Sequence, residues 1–199
     1  MEKDIRQRII YAAIKRLVYF GVAKTTLEDI ANDLSLSKAS LYYHFVNKND
    51  LIGAAFEYIF AEYFKLLYAV PVNQPLEKKL DDMLSVQWQF FMQYNLFGTS
   101  ASFFLNPKNK KLQEKLSEVK LKHLAFFFEV FQTSKNKNEI EDAFDIKVLV
   151  DLYFQCLLGL TMNSIVDRAM SKSDEQQYQI VHQKARAFTS IFVKGIAAR

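Results

Sequence analysis

Apolar residues recur at spacings of three and four along most of the chain. Between residues 4 and 20 they fall on Ile5, Ile9, Ala13, Leu17 and Phe20, at intervals of 4, 4, 4 and 3. That spacing places them on one face of a helix, with Gly21 as the expected stop. In TTLEDIANDL the next inner face is Leu27, Ile30, Ala31 and Leu34. Either Thr25 with Glu28 or Thr26 with Asp29 can close a capping box at its start. Ser37 can cap a short third helix that turns Leu41 and Phe45 inward. Asn47, with Asp50 three residues later, can cap a long fourth helix that carries Leu51, Ala55, Ile59 and Leu66 and ends near Pro71. Further helices are expected over about 75–96, closed by Gly98, and over 109–133, 143–169 and 174–197. A short element at about 100–105 precedes Pro107, and the polar loop SKNKNE follows residue 133. No stretch keeps the alternation of a strand. The expected fold class is all-α with about nine helices.

Composition narrows the class. Of 199 residues, half are hydrophobic and 24% charged, as in a globular chain. Five glycines and three prolines leave room for long helices. No apolar run approaches the roughly 20 residues that span a bilayer, so no membrane partner is expected. The N-terminal MEKDIRQRII is charged and has no apolar signal core. The single cysteine, Cys156, cannot form an internal disulfide. Together these point to a cytoplasmic protein. The net charge is +4, and residues 1–50, with eight Lys/Arg and six Asp/Glu, hold +2 of it. This balance is compatible with nucleic acid without requiring it.

SKASLYYHF, residues 37–45, sets two tyrosines and a histidine side by side. A core would have to find a partner for each polar tip. Their place in a helix–turn–helix suggests an external partner instead. Ala31 is the small residue at the crossing, Ser35 and Leu36 make the turn, and Leu41 packs back. The second helix of such a unit can lie in the DNA major groove. With Leu41 and Phe45 inward, Lys38, Ser40, Tyr42, Tyr43 and His44 are left for other surfaces. Their hydroxyl, ammonium and imidazole groups can bond phosphate or base edges. The helix starts near Thr25 and Thr26, and after Asn47 beside Lys48, are further seats for phosphate.

The run TTLEDIANDLSLSKASLYYHFVNKNDL strongly resembles the N-terminal signature of TetR-family transcriptional regulators. Ile30, Ala31, Leu36, Ser37, Leu41, Tyr42, Tyr43, His44, Phe45, Lys48 and Leu51 fall in register with the family pattern. With the preceding helix, the resemblance covers about the first quarter of the chain. It implies a DNA-binding domain over 1–47 and a ligand-binding and dimerisation domain over 48–199. Thr25 or Thr26, Tyr42, His44 and Lys48 are then expected on phosphates. Lys38, Ala39, Ser40 and Tyr43 are expected at base edges or methyls, and Ser37 belongs to the same face. Two departures stand out. Ser35 replaces the usual turn glycine, which costs about 1 kcal/mol if the position needs a positive φ. Ala39 and Ser40 stand where Gly or Ala followed by Thr is usual, so the base preference there does not carry over.

The rest of the chain is read partly through that resemblance. AFFFEVF places Phe126, Phe127 and Phe128 in succession. Three successive helical residues sweep about 200° of surface, so this helix is surrounded or borders a cavity. The family typically holds a small-molecule pocket between such helices, which implies a small lipophilic effector. Candidate lining residues are Trp88, Phe91, Phe104, Phe127, Tyr153 and Cys156, although any one of these aromatics also suits ordinary core packing. Val181, Phe188, Phe192 and Gly195 line up on the last helix, and Leu157, Thr161 and Ile165 on the one before. Paired helices of this kind imply a homodimer, which would place two recognition helices on a palindromic DNA operator.

Catalysis is not expected. His44, His123 and His182 lie on separate helices without ligand spacing, and Cys156 has no partner motif. No phosphate loop or nucleophile elbow occurs. No metal or cofactor is implied. The reading is a ligand-responsive repressor. The alternative is a helical small-molecule-binding protein without specific DNA binding, which the intact Tyr42-Tyr43-His44 and Lys48 oppose.

Overall fold

The computed structural model describes residues 2–94, 110–168 and 174–198. Among them are eight helices and no strand: α1 (Glu2–Lys24), α2 (Leu27–Asp33), α3 (Lys38–His44), α4 (Lys48–Tyr68), α5 (Leu76–Gln93), α6 (Lys110–Asn136), α7 (Ile146–Arg168) and α8 (Asp174–Ile196). The all-α class is as expected. The element expected at 100–105 lies outside the described residues. Two compact units form, Met1–Glu62 with Tyr94–Ser117, and Tyr63–Gln93 with Glu118–Arg199.

The first unit follows the apolar stripes closely. Ile9, Ala13 and Leu17 of α1 are buried, as are Leu27, Ile30 and Ala31 of α2, Leu41 of α3, and Phe45. Gly21 interrupts α1 with φ 80° and ψ 167°, a conformation that favours glycine. Phe20 departs from its stripe and is half exposed, because the break follows it at once. Its ring instead receives the Arg16 guanidinium at 5.5 Å. The Tyr11 and Tyr58 hydroxyls meet at 2.6 Å and tie α1 to α4. That contact, with burial adding to it, pushes the Tyr58 phenol up to about 12.

The second unit is built on rings. Tyr153 of α7 is fully buried among Phe127, Phe131, Phe188 and Phe192, and its hydroxyl meets Thr189 Oγ1 at 2.9 Å. Phe127 is buried, whereas Phe126 and Phe128 are half-buried, so α6 is enclosed over a wide arc. The expected polar loop after 133 begins later, since α6 continues to Asn136 and Ser134 is fully buried. Asp81 and Arg186 form a two-bond ion pair between α5 and α8. The α6–α7 connection acts as a strap. Glu139 Oε2 accepts the Leu76 amide at 2.7 Å and so caps α5, while Ile140 bridges Ala197 in antiparallel fashion.

One buried imidazole makes this unit sensitive to pH. The Val119 carbonyl can only accept, so His123 Nδ1, 3.2 Å away, carries the proton. Nε2 then accepts from the Tyr63 hydroxyl at 2.9 Å. Burial pushes the imidazole down to about 4, from 6.5 unfolded, so between these values the unfolded chain binds the extra proton. The associated stability is complete above pH 6.5 and is lost as pH falls toward 4. Denaturant unfolding across this window is expected to show about 3 kcal/mol more loss for the native protein than for His123→Gln. Equal losses would mean that His123 takes up its proton in the folded chain as readily as in the unfolded one.

Candidate nucleic-acid interface

The sharp turn between α2 and α3 sets the direction of α3. The Leu36 amide bonds the Ala31 carbonyl at 2.9 Å and the Ser35 amide bonds that of Asn32 at 3.1 Å. This is the Schellman pattern, and it requires a left-handed residue directly after the helix cap. Ser35 is that residue, with φ 55°. The helix starts are capped in turn. Thr26 Oγ1 accepts from the Asp29 amide, and the Asp29 carboxylate accepts from the Thr26 amide, which completes a capping box. The Thr26 hydroxyl holds the Asp29 carboxyl below its usual range. Ser37 Oγ accepts from the Ser40 amide, and Asn47 Oδ1 from that of Asp50. On the inner side Arg16 grips Asp33 through two nitrogens and approaches Asp29 at 3.5 Å.

These constraints leave one outward face on α3. Lys38, Ala39, Tyr42 and Tyr43 are exposed, with Tyr43 at 75%, while Ser40 and His44 are half-buried. Tyr43 and His44 stack edge to face at 5.1 Å. Val46, also 75% exposed, extends the face beyond the helix end. The apolar stripes do not include it, although a valine between Phe45 and the capping Asn47 has no inward register to occupy. The two threonines separate. Thr26 is exposed at the α2 start, whereas Thr25 is only 2% exposed and donates its hydroxyl to the Gly21 carbonyl at 2.8 Å. Lys48 donates to the Val22 carbonyl at 2.5 Å, and burial lowers its ammonium. Two of its three protons remain for another acceptor.

The expected effector-site residues are spread over different surroundings. Trp88 of α5 stacks on His182 of α8 at 4.8 Å and meets Tyr178 edge-on at 5.3 Å. Phe91 is half-buried, with its ring 6.5 Å from that of Phe90. Phe127 and Tyr153 are core residues in mutual contact. Cys156 is exposed, one turn after the exposed Leu152 on α7, so it lines no interior. Phe104 lies outside the described residues. Among those expected at a dimer interface, Leu157 and Val181 are buried in their own chain. Phe188 and Phe192 are half-buried against Tyr153, Thr161 bonds the Leu157 carbonyl, and Gly195 is exposed. The side chain of Ile165 lies outside the described part. Exposed instead are Val148, Leu152 and Ile191, at positions the stripes did not include. For Val148 and Leu152 the signal was α7 itself, whose apolar residues go all round the helix. Among the described residues no cluster of His, Cys, Asp and Glu is placed to hold a metal.

Residues 9–55 match the family model of the bacterial regulatory proteins of the tetR family. Over 48 residues the chain is 44% identical to the probable acrEF/envCD operon repressor of Escherichia coli, covering 24% of this chain and 22% of the relative. Over 52 residues it is 40% identical to the HTH-type transcriptional regulator TtgR of Pseudomonas putida, covering 26% and 25%. The chain thus spans about a quarter of the length of the curated relatives it matches. Solved structures agree over nearly the whole length. A transcriptional regulator from Cytophaga hutchinsonii superposes with TM-score 0.78 at 23% identity, covering 96% of this chain and 97% of that one. A TetR transcription regulator from Haloarcula marismortui does so with TM-score 0.75 at 17% identity, covering 98% and 99%. At these identities the likeness is one of fold.

Ser35 in the left-handed region predicts a stabilising substitution. Ser35→Gly is expected to raise stability by about 1 kcal/mol, seen as a rise of about 2–4 °C in the thermal midpoint. A midpoint that stays or falls would show the serine to be compensated in place.

Proposed function

This chain belongs to the TetR family of bacterial regulatory proteins, and we propose that it is a ligand-responsive repressor that binds a palindromic DNA operator as a homodimer. The observation that carries the DNA half is the face of α3. Lys38, Ala39, Tyr42 and Tyr43 share the solvent side of a seven-residue helix whose start and exit are held by hydrogen bonds. A helix presented in this way suits the major groove. Thr26 and Lys48 stand at the starts of α2 and α4, where free amides and the helix dipole favour phosphate. Thr25 drops out of this contact set because it is buried, whereas exposed Thr26, its own hydroxyl held by Asp29, marks the helix start whose first amides stay open.

What supports a dimer is an apolar surface on the last two helices. Val148, Leu152 and Cys156 are exposed at intervals of four on α7, and Ala187, Ile191 and Gly195 at intervals of four on α8. Ile191 is 72% exposed. Apolar stripes of this length are usual where a partner covers them. The two-fold axis would set two copies of α3 about 34–36 Å apart, one DNA turn. The effector is assigned to the ring-lined interior of the second unit, where Trp88 and Phe91 are half-buried. A compound favouring one arrangement of the dimer would weaken DNA binding, and DNA would weaken its binding by the same factor.

Selection from a randomised duplex library at fixed salt is expected to enrich a palindrome with the native protein. The double variant Tyr42→Ala, Tyr43→Ala should bind that palindrome at least about tenfold more weakly. Equal binding by the variant, or no enrichment by the native chain, would return the motif to a packing role. Leu152→Asp with Ile191→Asp should sediment as a monomer of unchanged helical content and lose about tenfold or more in operator affinity. A dimer that persists in this variant would place the interface elsewhere.

A further inference from the structure

Three carboxylates stand on α2, and two of them are committed to partners within the unit. Asp29 accepts from the Thr26 amide and hydroxyl, and Asp33 is gripped by Arg16. Glu28 turns the other way. Its Oε2 lies 3.6 Å from Lys38 Nζ, and both side chains are mostly exposed, at 67% and 60%. Lys38 is the first residue of α3, and the exposed Tyr42 follows one turn later on the same side. The start of the outward face therefore carries an ammonium and a carboxylate side by side. An ion pair this exposed is weak in water and exchanges readily for other partners.

A carboxylate on such a face would be repelled by phosphates unless it finds a donor. It can only accept, and an ammonium can only donate. Donors in the major groove are the amino groups of cytosine and adenine. A G·C pair presents the guanine acceptors O6 and N7 beside the cytosine N4 amino group, which is the order that an ammonium and a carboxylate require. A T·A pair keeps the order at thymine O4 and adenine N6, but a methyl group stands where guanine would offer its second acceptor, and adenine N7 lies beyond the donor. We propose that Glu28 and Lys38 together read one G·C pair in each operator half-site, with Lys38 donating to guanine and Glu28 accepting from cytosine N4. This assignment rests on the operator-binding reading above. Glu28 also restrains affinity, since its charge opposes the phosphate backbone that Lys38 would otherwise seek.

The test is selection from randomised duplexes at one salt concentration with the native protein, Glu28→Ala, Glu28→Gln and Lys38→Ala. The native protein is expected to fix a G·C pair at one position of each half-site. Glu28→Ala should lower the preference there about tenfold and leave the other positions unchanged. It should also bind a non-specific duplex more tightly, because a negative charge is gone. Lys38→Ala should relax the same base pair. Circular dichroism checks folding, and Glu28→Gln, which keeps an acceptor oxygen without the charge, should retain the preference for the pair while binding a non-specific duplex more tightly. An unchanged motif in Glu28→Ala would overturn the assignment, as would Glu28→Ala and Lys38→Ala relaxing different pairs. A native protein that selects no motif would overturn the operator reading itself, a distinguishable result.

Discussion

The Leu36 amide bonds back to the Ala31 carbonyl, and the outer face of the N-terminal unit hangs on that contact. It closes α2, forces Ser35 left-handed and starts α3 two residues later. Because α3 is only seven residues long, its orientation cannot come from its own length. It comes from the turn before it, from buried Leu41, and from Phe45, whose ring lies 4.8 Å under the Arg6 guanidinium. A serine in the left-handed position is tolerated because these three neighbouring constraints agree on one geometry. Each is small, and none could be changed in angle without moving the tyrosines.

The two units handle polar groups differently. In the first, hydroxyls, amides and carboxylates are placed at helix ends, where they meet backbone groups that the helices leave open. In the second, polar atoms sit inside an aromatic core and pair with one another, as in Tyr63 with His123 and Tyr153 with Thr189. End-capping leaves the outer faces of α2 and α3 exposed. Interior pairing fixes which ring meets which, since a misplaced phenol or imidazole would lose its partner in a dry environment.

Much of this was legible from residue spacing. Ile9, Ala13, Leu17, Ile30, Ala31 and Leu41 are buried where their stripes placed them, and the caps at Thr26, Ser37 and Asn47 use the residue types that caps require. The choice between Thr25 and Thr26 was not legible. Both can cap, and only the break at Gly21 decides that Thr25 turns inward. The stripe on α7 was ambiguous for a related reason. Where a helix is apolar on every side, period alone cannot say which side meets its own chain. The rotation of α7 that brings the Tyr153 hydroxyl to Thr189 also turns Leu157 inward, and Val181 is buried on α8. The same rotation puts Cys156 outside. Ion pairs across helices, such as Arg16–Asp33 and Lys38–Glu28, leave no periodic trace in the sequence at all.

Trp88 is the only tryptophan in the chain, and it lies flat against His182 where α5 meets α8. Its emission is therefore a local gauge. It senses the seam between those two helices and the charge state of one imidazole, and it belongs to a different compact unit from the outward face of α3. Light from a single indole and ellipticity from all the helices thus sample different parts of the molecule. Where the two signals diverge during unfolding, they separate the loosening of the aromatic unit from the melting of the whole.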